Sequence, residues 1–261
     1  THIIGAGISG LACAIETIRL GGKVRLYESS YFAGGRCRSF YDQKLNRLID
    51  NGNHLIIGAN PAVFNYLKTV KNLEGLVGQK RASFSFINCD NGEIWNLHPS
   101  RGPIPWWILY ESLRPPGTSF TDYFSIIRLA CAKKNATVAD CVGSGGEIIT
   151  NFWGPLSEAI LNASVTEGSA QLLWQVLKRS FGKGEKLCRA YQARTGLGPD
   201  LIDPGLQYLK DHGQKVVFNS LLKQINLDNN RAKTLNFSSY SVDMDNNDSK
   251  PDFVVDISEY F

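Results

Sequence analysis

The stretch Thr1-His2-Ile3-Ile4-Gly5-Ala6-Gly7-Ile8-Ser9-Gly10 decides how the rest of the chain is read. Gly5, Gly7 and Gly10 spell G-x-G-x-x-G directly after an apolar triplet. Gly5 permits a tight turn, Gly7 lets backbone approach a pyrophosphate, and Gly10 allows a helix to pack closely on a sheet. The residues after the motif, LACAIETIRL, place Leu11, Ala14, Ile15 and Ile18 at helical spacing, and Gly21-Gly22 ends the run. The N–H groups at the start of that helix, from Ile8, Ser9 and Gly10, and its positive dipole end suit a phosphate. KVRLYE then reads as a short strand closing on Glu28, whose carboxylate can accept hydrogen bonds from ribose hydroxyls and disfavours a 2′-phosphate. A strand–turn–helix–strand unit of this kind predicts a bound dinucleotide in an α/β fold.

Bulk properties narrow the classes. In 261 residues, 43% are hydrophobic and 20% charged, with a formal net charge of +4. Such a mild, scattered excess of basic residues does not predict a nucleic-acid partner. The six cysteines (Cys13, Cys37, Cys89, Cys131, Cys141, Cys188) form no C-x-x-C pair, and Cys131 and Cys141 have no histidine at ligand spacing. Reduced thiols in a reducing, cytoplasmic compartment and no metal are therefore expected. No apolar run is long enough to cross a membrane as a helix.

Three segments follow along the chain. Residues 1–60 carry the dinucleotide unit. From 61 to 189 the pattern turns mostly helical, in PAVFNYLKTV, TDYFSIIRLACAKK, GEIITNFWGPLSEAIL and SAQLLWQVLKRSF, with a hairpin at ASFSFINCDNGEIWNL turning at Asp90-Asn91-Gly92. This middle stretch holds all five tryptophans. From 190 to 261 the α/β pattern returns. A helix in GPDLIDPGLQYLKDHG stops at Gly213, a strand follows in KVVFN, and LLKQINLDNNRAKTLNF forms a hairpin. A polar loop over 238–252 and a strand in FVVDI come last. The strands KVVFN and FVVDI need a sheet to join, which predicts that the two end segments form one domain and the middle a separate cap. An opening three-residue strand and an ending straight after a strand predict that the natural chain extends further at both ends.

Two further constellations carry chemistry. In YFAGGRCRS, Gly34-Gly35 can bring backbone close to a cofactor, and Arg36 can neutralise phosphate or stabilise an electron-rich flavin. A simple nicotinamide-binding unit needs no second glycine pair so soon, so FAD is the better fit. In RLIDNGNHLIIGAN, Gly52 and Gly58 flank a polar Asn53-His54 pair and an apolar run, a pattern suited to backbone lying against a flat ring. His54 reads either as a structural histidine or as a proton donor.

These blocks resemble the amine oxidase and phytoene desaturase superfamily. GGRCRSFYD, IDNGNHLIIGAN, GPIPWWIL and TVADCV…NFWGPLSEAILNASVTEGSAQLL are similar, more narrowly, to the squalene-associated FAD-dependent desaturases, the hydroxysqualene dehydroxylase family. The resemblance implies a Rossmann-like FAD-binding domain of the glycine-rich (GR2) type with an inserted helical cap, lacking the family's C-terminal segment. It implies FAD held by Gly5, Gly7, Ile8, Ser9, Gly10, Glu28, Gly34, Gly35, Arg36, Gly52, Asn53 and Leu222. It also implies an isoprenoid lipid substrate, reduction of hydroxysqualene to squalene, and peripheral contact with a membrane. Trp106, Trp107, Phe152, Trp153 and Trp174 are then candidates to line a substrate tunnel, or else to pack a core. Asp50 and His54 are candidates for the acid that assists hydroxyl departure, or for positioning backbone and flavin. No motif assigns the electron donor. Carotenoid or phytoene-type desaturation and amine oxidation are the alternatives with the same cofactor. A non-catalytic lipid carrier, like the Rab escort and dissociation-inhibitor proteins, is the alternative without redox chemistry.

Overall fold

The computed structural model describes residues 1–52, 55–229 and 231–244, and the backbone of Val254–Asp256. Two units emerge. One draws on Thr1–Leu55, Pro61–Val77 and Gln192–Phe261, the other on Ile56–Asn60 and Gly78–Tyr191.

The first unit is built on β1 (His2–Ile4), α1 (Ile8–Arg19) and β2 (Arg25–Tyr27). Its parallel sheet runs Lys215–Val217, β2, β1, Val254–Asp256. Both late strands thus join the opening ones, as their apolar runs require. Ile3 and Leu26 are register partners on one face and Ile4 and Tyr27 on the other, and all four are buried, so the sheet is covered on both faces. The helix α1 puts Leu11, Ala14 and Ile15 into the core, the stripe that the sequence spacing predicts.

The expected boundary at residue 61 is corrected. Helix α2 (Pro61–Thr69) and the stretch to Val77 belong to the first unit, not to the cap. The reason is local: Leu67 is fully buried, α2 packs on α1, and the Tyr66 hydroxyl donates to the carbonyl of Leu201 at 2.7 Å. Apolar spacing in α2 reads the same whichever core receives it.

The helix read at 198–213 has an unexpected beginning. Gly198–Ile202 is a π-helical turn that passes into an α-helix at Asp203–Asp211, and the Asp203 N–H donates to the Gly198 carbonyl. Pro204 follows at once. A proline ring clashes with the carbonyl four residues back and offers no N–H, and a wider turn relieves both problems. The polar loop predicted over 238–252 is also corrected in part. Ser241–Asp243 is a strand, the third of an antiparallel meander with Leu222–Asp228 and Arg231–Phe237. Val242 is half-buried and Met244 buried, a two-residue alternation masked by the serines and aspartates around it.

The second unit is a small helical assembly with one hairpin, Phe84–Ile87 against Ile94–Leu97, turning near Gly92 as expected. Its core gathers Trp107, Tyr123, Val138, Phe152, Trp153 and Leu173 among others. The helix predicted over 121–134 is shorter. A 3-10 turn, Phe120–Phe124, opens with a Ser119/Asp122 capping box and leads into an α-helix only at Ser125–Ala130. Ile149–Trp153 is a second π-helical turn, continuing as an α-helix over Gly154–Leu161 with Pro155 directly after the junction. A Cβ on Gly154 would lie 2.7 Å from the Ile149 carbonyl oxygen. Only glycine lets this turn close.

Candidate functional site

Two glycine loops meet in the first unit. Gly5 has φ +95° with open space where a Cβ would point, and Gly34 has φ +109°. Both conformations lie in the region that favours glycine. Gly7 and Gly34 form a parallel bridge, the Gly34 N–H donates to Ala6 O at 2.9 Å, and Gly35 stands over Gly7. Two segments about 30 residues apart thus make one backbone cradle at the carboxyl end of β1.

The start of α1 faces that cradle uncapped. No side chain bonds its first N–H groups, and its first turn carries no acidic residue. The free N–H groups of Ile8, Ser9 and Gly10 and the positive helix end form an anion site for a pyrophosphate. Glu28 closes the cradle, buried at 8% exposure. Its Oε2 accepts from the Ala6 N–H at 2.7 Å, and its Oε1 accepts from Ser30 N–H at 2.9 Å and Ser29 Oγ at 3.1 Å. A carboxylate offers about four acceptor positions, so one remains for a ribose hydroxyl. The residues present fit FAD. Arg36 is exposed beside Gly35. Leu222 packs on a cluster with Tyr27 and Phe237, two residues from Ser220, whose N–H donates to Glu28 O. Cys37, next to the second loop, is pushed up to about 11 by burial and by Asp50. It stays a neutral thiol near pH 7 and is no nucleophile.

Asp50 ends the strand Arg47–Asp50, which pairs with Ser39–Asp42 and leads to Gly52. Asp50 Oδ1 accepts from Ser39 Oγ at 2.5 Å and from the Leu197 N–H at 2.9 Å. Ser39 Oγ in turn accepts from the Gly198 N–H at 2.8 Å. The carboxylate thereby ties the hairpin to the entry of the π turn at Gly198–Ile202. Neither Ser39 nor this turn stood out in the sequence. The one signal was Pro204, which forces the backbone to widen. Asn53 and His54 lie outside the described residues.

The second unit holds an aromatic cavity of about 190 Å³. Trp107, Tyr123, Phe152, Trp153, Trp174 and Phe181 line it. The tryptophan pair is split, with Trp107 buried at 6% and Trp106 exposed at 56%. Trp106 therefore does not line the cavity, whereas Trp107, Phe152 and Trp153 do. Tyr123 and Phe181 were missed, although the aromatic density of 120–124 could have flagged the first. Beside this unit's hairpin, Glu185 is buried and makes a two-point ion pair with Arg189, at 2.6 and 3.0 Å, while also accepting the Ala82 N–H.

A model for flavin containing amine oxidoreductases matches residues 8–255. The chain belongs to that family. Family members of known sequence include hydroxysqualene dehydroxylases from Zymomonas mobilis, 36% identical over 95% of this chain and 60% of theirs, and from Rhodopseudomonas palustris, 37% identical over 92% and 58%. A zeta-carotene desaturase from Arabidopsis thaliana is 28% identical over 69% of this chain and 32% of its own. The chain thus spans about three fifths of the length of these two dehydroxylases. Among solved structures, an oxidoreductase from Methanosarcina mazei superposes with TM-score 0.66 at 14% identity, covering 98% of this chain and 58% of that one. A Rab GDI from Plasmodium falciparum superposes with TM-score 0.52 at 13% identity, covering 99% and 65%. These place the family member in an FAD-binding α/β fold. Fold alone does not assign chemistry, because the same scaffold carries unrelated functions.

Proposed function

We propose that the protein of which this sequence is read is an FAD-dependent oxidoreductase of an isoprenoid lipid, reducing hydroxysqualene to squalene. The single observation that carries this is the breadth of similarity to hydroxysqualene dehydroxylases, 35–37% identity over 86–95% of the chain. The desaturase similarity is shallower or shorter. Peripheral contact with a membrane and a cytoplasmic location belong to the same reading, in which a long isoprenoid alcohol partitions into lipid; no helix among the described residues is long and apolar enough to cross a membrane.

Bound FAD supplies two-electron hydride chemistry. The chain's own residues do the rest. Gly5, Gly7, Gly34 and Gly35 let the protein backbone approach the cofactor, the start of α1 neutralises its phosphates, and Glu28 takes a ribose hydroxyl. Gly52, Asn53, Arg36 and Leu222 are assigned to the same binding site. Asp50 is assigned to positioning rather than proton donation, because one of its oxygens already accepts two hydrogen bonds. His54 is left as the candidate donor. The aromatic cavity has an apolar lining suited to a prenyl group, and aromatic ring faces can stabilise a cation. At about 190 Å³ it has room for about six waters, so it takes one prenyl end rather than a thirty-carbon chain.

The test is direct. The full chain is purified, its flavin identified by absorbance after denaturation, reduced anaerobically, and mixed with hydroxysqualene in detergent. Squalene formed in proportion to flavin oxidised is the expected result. Flavin present but oxidising a carotenoid precursor instead would establish the desaturase reading. Absence of any flavin would count against both redox readings.

A further inference from the structure

Between residues 101 and 134 the second unit turns an unusual set of side chains to solvent. Ile104, Trp106, Leu109, Tyr110, Phe124 and Ile127 are each more than half exposed. They do not lie scattered. The short 3-10 turn Trp106–Leu109 packs against both Glu111–Leu113 and Phe120–Phe124, the last packs against the helix Ser125–Ala130, and the Phe120 and Phe124 rings meet edge to face. A contiguous apolar face of this kind marks a contact site.

Its charge says what kind. The same 34-residue stretch carries five basic residues, Arg101, Arg114, Arg128, Lys133 and Lys134, against two acidic ones, Glu111 and Asp122. Asp122 is spent on capping Ser119. Arg101, Arg128, Lys133 and Lys134 are exposed and make no ion pair among the described residues. Residues 101–134 thus carry a net charge of +3 in a chain whose formal net charge is +4. Protein–protein interfaces are depleted in lysine. By contrast, exposed Trp and Tyr beside Leu, Ile and Phe, rimmed by cations, match the boundary between headgroups and acyl chains.

We propose that this face docks on an anionic phospholipid leaflet, with Trp106, Leu109, Tyr110, Phe124 and Ile127 inserted and the rim cations on the headgroups. A second feature points the same way. Pro103, Pro105 and Ile126 are exposed on this face and also line the aromatic cavity. The cavity therefore opens where the membrane would lie, and a lipid-soluble molecule can enter it without crossing water. This last step rests on the isoprenoid reading above; docking itself does not.

The experiment uses the full chain and sedimentation with vesicles, either of phosphatidylcholine alone or of equal parts phosphatidylcholine and phosphatidylglycerol. Binding to the anionic vesicles, weakened by salt, is expected, with a blue shift of tryptophan emission as Trp106 leaves water. The triple variant Leu109→Ser, Phe124→Ser, Ile127→Ser should lose at least about tenfold in affinity, given about 0.8 kcal/mol per buried CH₂. Its flavin content and turnover in detergent should stay unchanged. The double variant Lys133→Glu, Lys134→Glu, which alters only exposed positions, should lose about fivefold or more per charge on anionic vesicles. Wild-type protein left in the supernatant with anionic vesicles would overturn the proposal. So would equal binding by wild type and both variants. A wild-type dimer that ignores vesicles and becomes monomeric in the triple variant would overturn it in favour of a second protein copy. Loss of flavin or turnover in wild type, with docking intact, would count against the catalytic reading alone.

Discussion

At the scale of single residues, three carboxylates do three different jobs. Glu28 holds the cradle and keeps one acceptor position open. Glu28→Gln retains one acceptor oxygen and should lower flavin retention on gel filtration by about tenfold, for a charged hydrogen bond of about 1.5–3 kcal/mol. Unchanged flavin content would remove Glu28 from the cofactor site. Asp50 joins the hairpin to the π turn. Asp50→Asn keeps an acceptor oxygen for Ser39 and Leu197, so turnover and melting temperature should change little, whereas Asp50→Ala should cost about 1.5–3 kcal/mol of stability. A large loss of turnover in Asp50→Asn with normal melting would make Asp50 the acid after all. Glu185 is structural. Its hydrogen bonds to Arg189, then that from Ala82 and the charges of Arg189 and Arg81, lower its pKa from 4.5 to about 2 against the opposing effect of burial. The stability it contributes is fully present above pH 4.5 and is lost as pH falls from there toward 2. Denaturation midpoints measured between pH 6 and pH 2.5 should therefore converge for wild type and Glu185→Gln as pH falls.

At the scale of elements, what was legible depended on how far a residue's role is set by its neighbours in sequence. The strand–turn–helix–strand opening was readable because glycine positions, helix spacing and Glu28 are all local signals. The pairing of the strands Lys215–Val217 and Val254–Asp256 with it was readable too, since an apolar strand must find a sheet. The place of α2 was not. Its apolar stripe says that it packs, and only Tyr66 reaching Leu201 says where. The π turns were hidden for another reason: Pro155 and Pro204 sit where a helix start tolerates them, so each looked like an ordinary first turn. The split of Trp106 from Trp107 was half-legible, because adjacent residues on a 3-10 turn must point in different directions. These turns also bear a prediction. Gly154→Ala puts a methyl 2.7 Å from the Ile149 carbonyl oxygen, and overpacking of this kind costs about 1–3 kcal/mol. The melting temperature should fall by about 2–4 °C per kcal/mol, and tryptophan emission should change because Trp153 precedes the junction. An unaltered melting curve would show that the helix absorbs the methyl by rewinding.

At the scale of the whole molecule, the two units carry different features. One is a sheet with a phosphate cradle at its strand ends, the other an aromatic pocket with an apolar face. The proposed flavin binding and lipid docking should therefore be separable by mutation, the Glu28 and Leu109/Phe124/Ile127 variants failing in different assays. The strand order carries a further consequence, one of timing. The central strand β1 is flanked by β2 on one side and by residues 254–256 on the other. A ribosome must make some 250 residues after β1 before its second neighbour exists. The helical unit, whose partners lie within Gly78–Tyr191 apart from the short strand Ile56–Ile57, is complete long before. Pairings so distant in sequence form slowly, and domains tend to mature in the order they emerge during synthesis. During synthesis, then, the aromatic unit should become protease-resistant while the glycine cradle is still an open edge. The cradle strand gains its second neighbour only once residues 254–256 have been made, so flavin capture should follow the formation of the aromatic pocket.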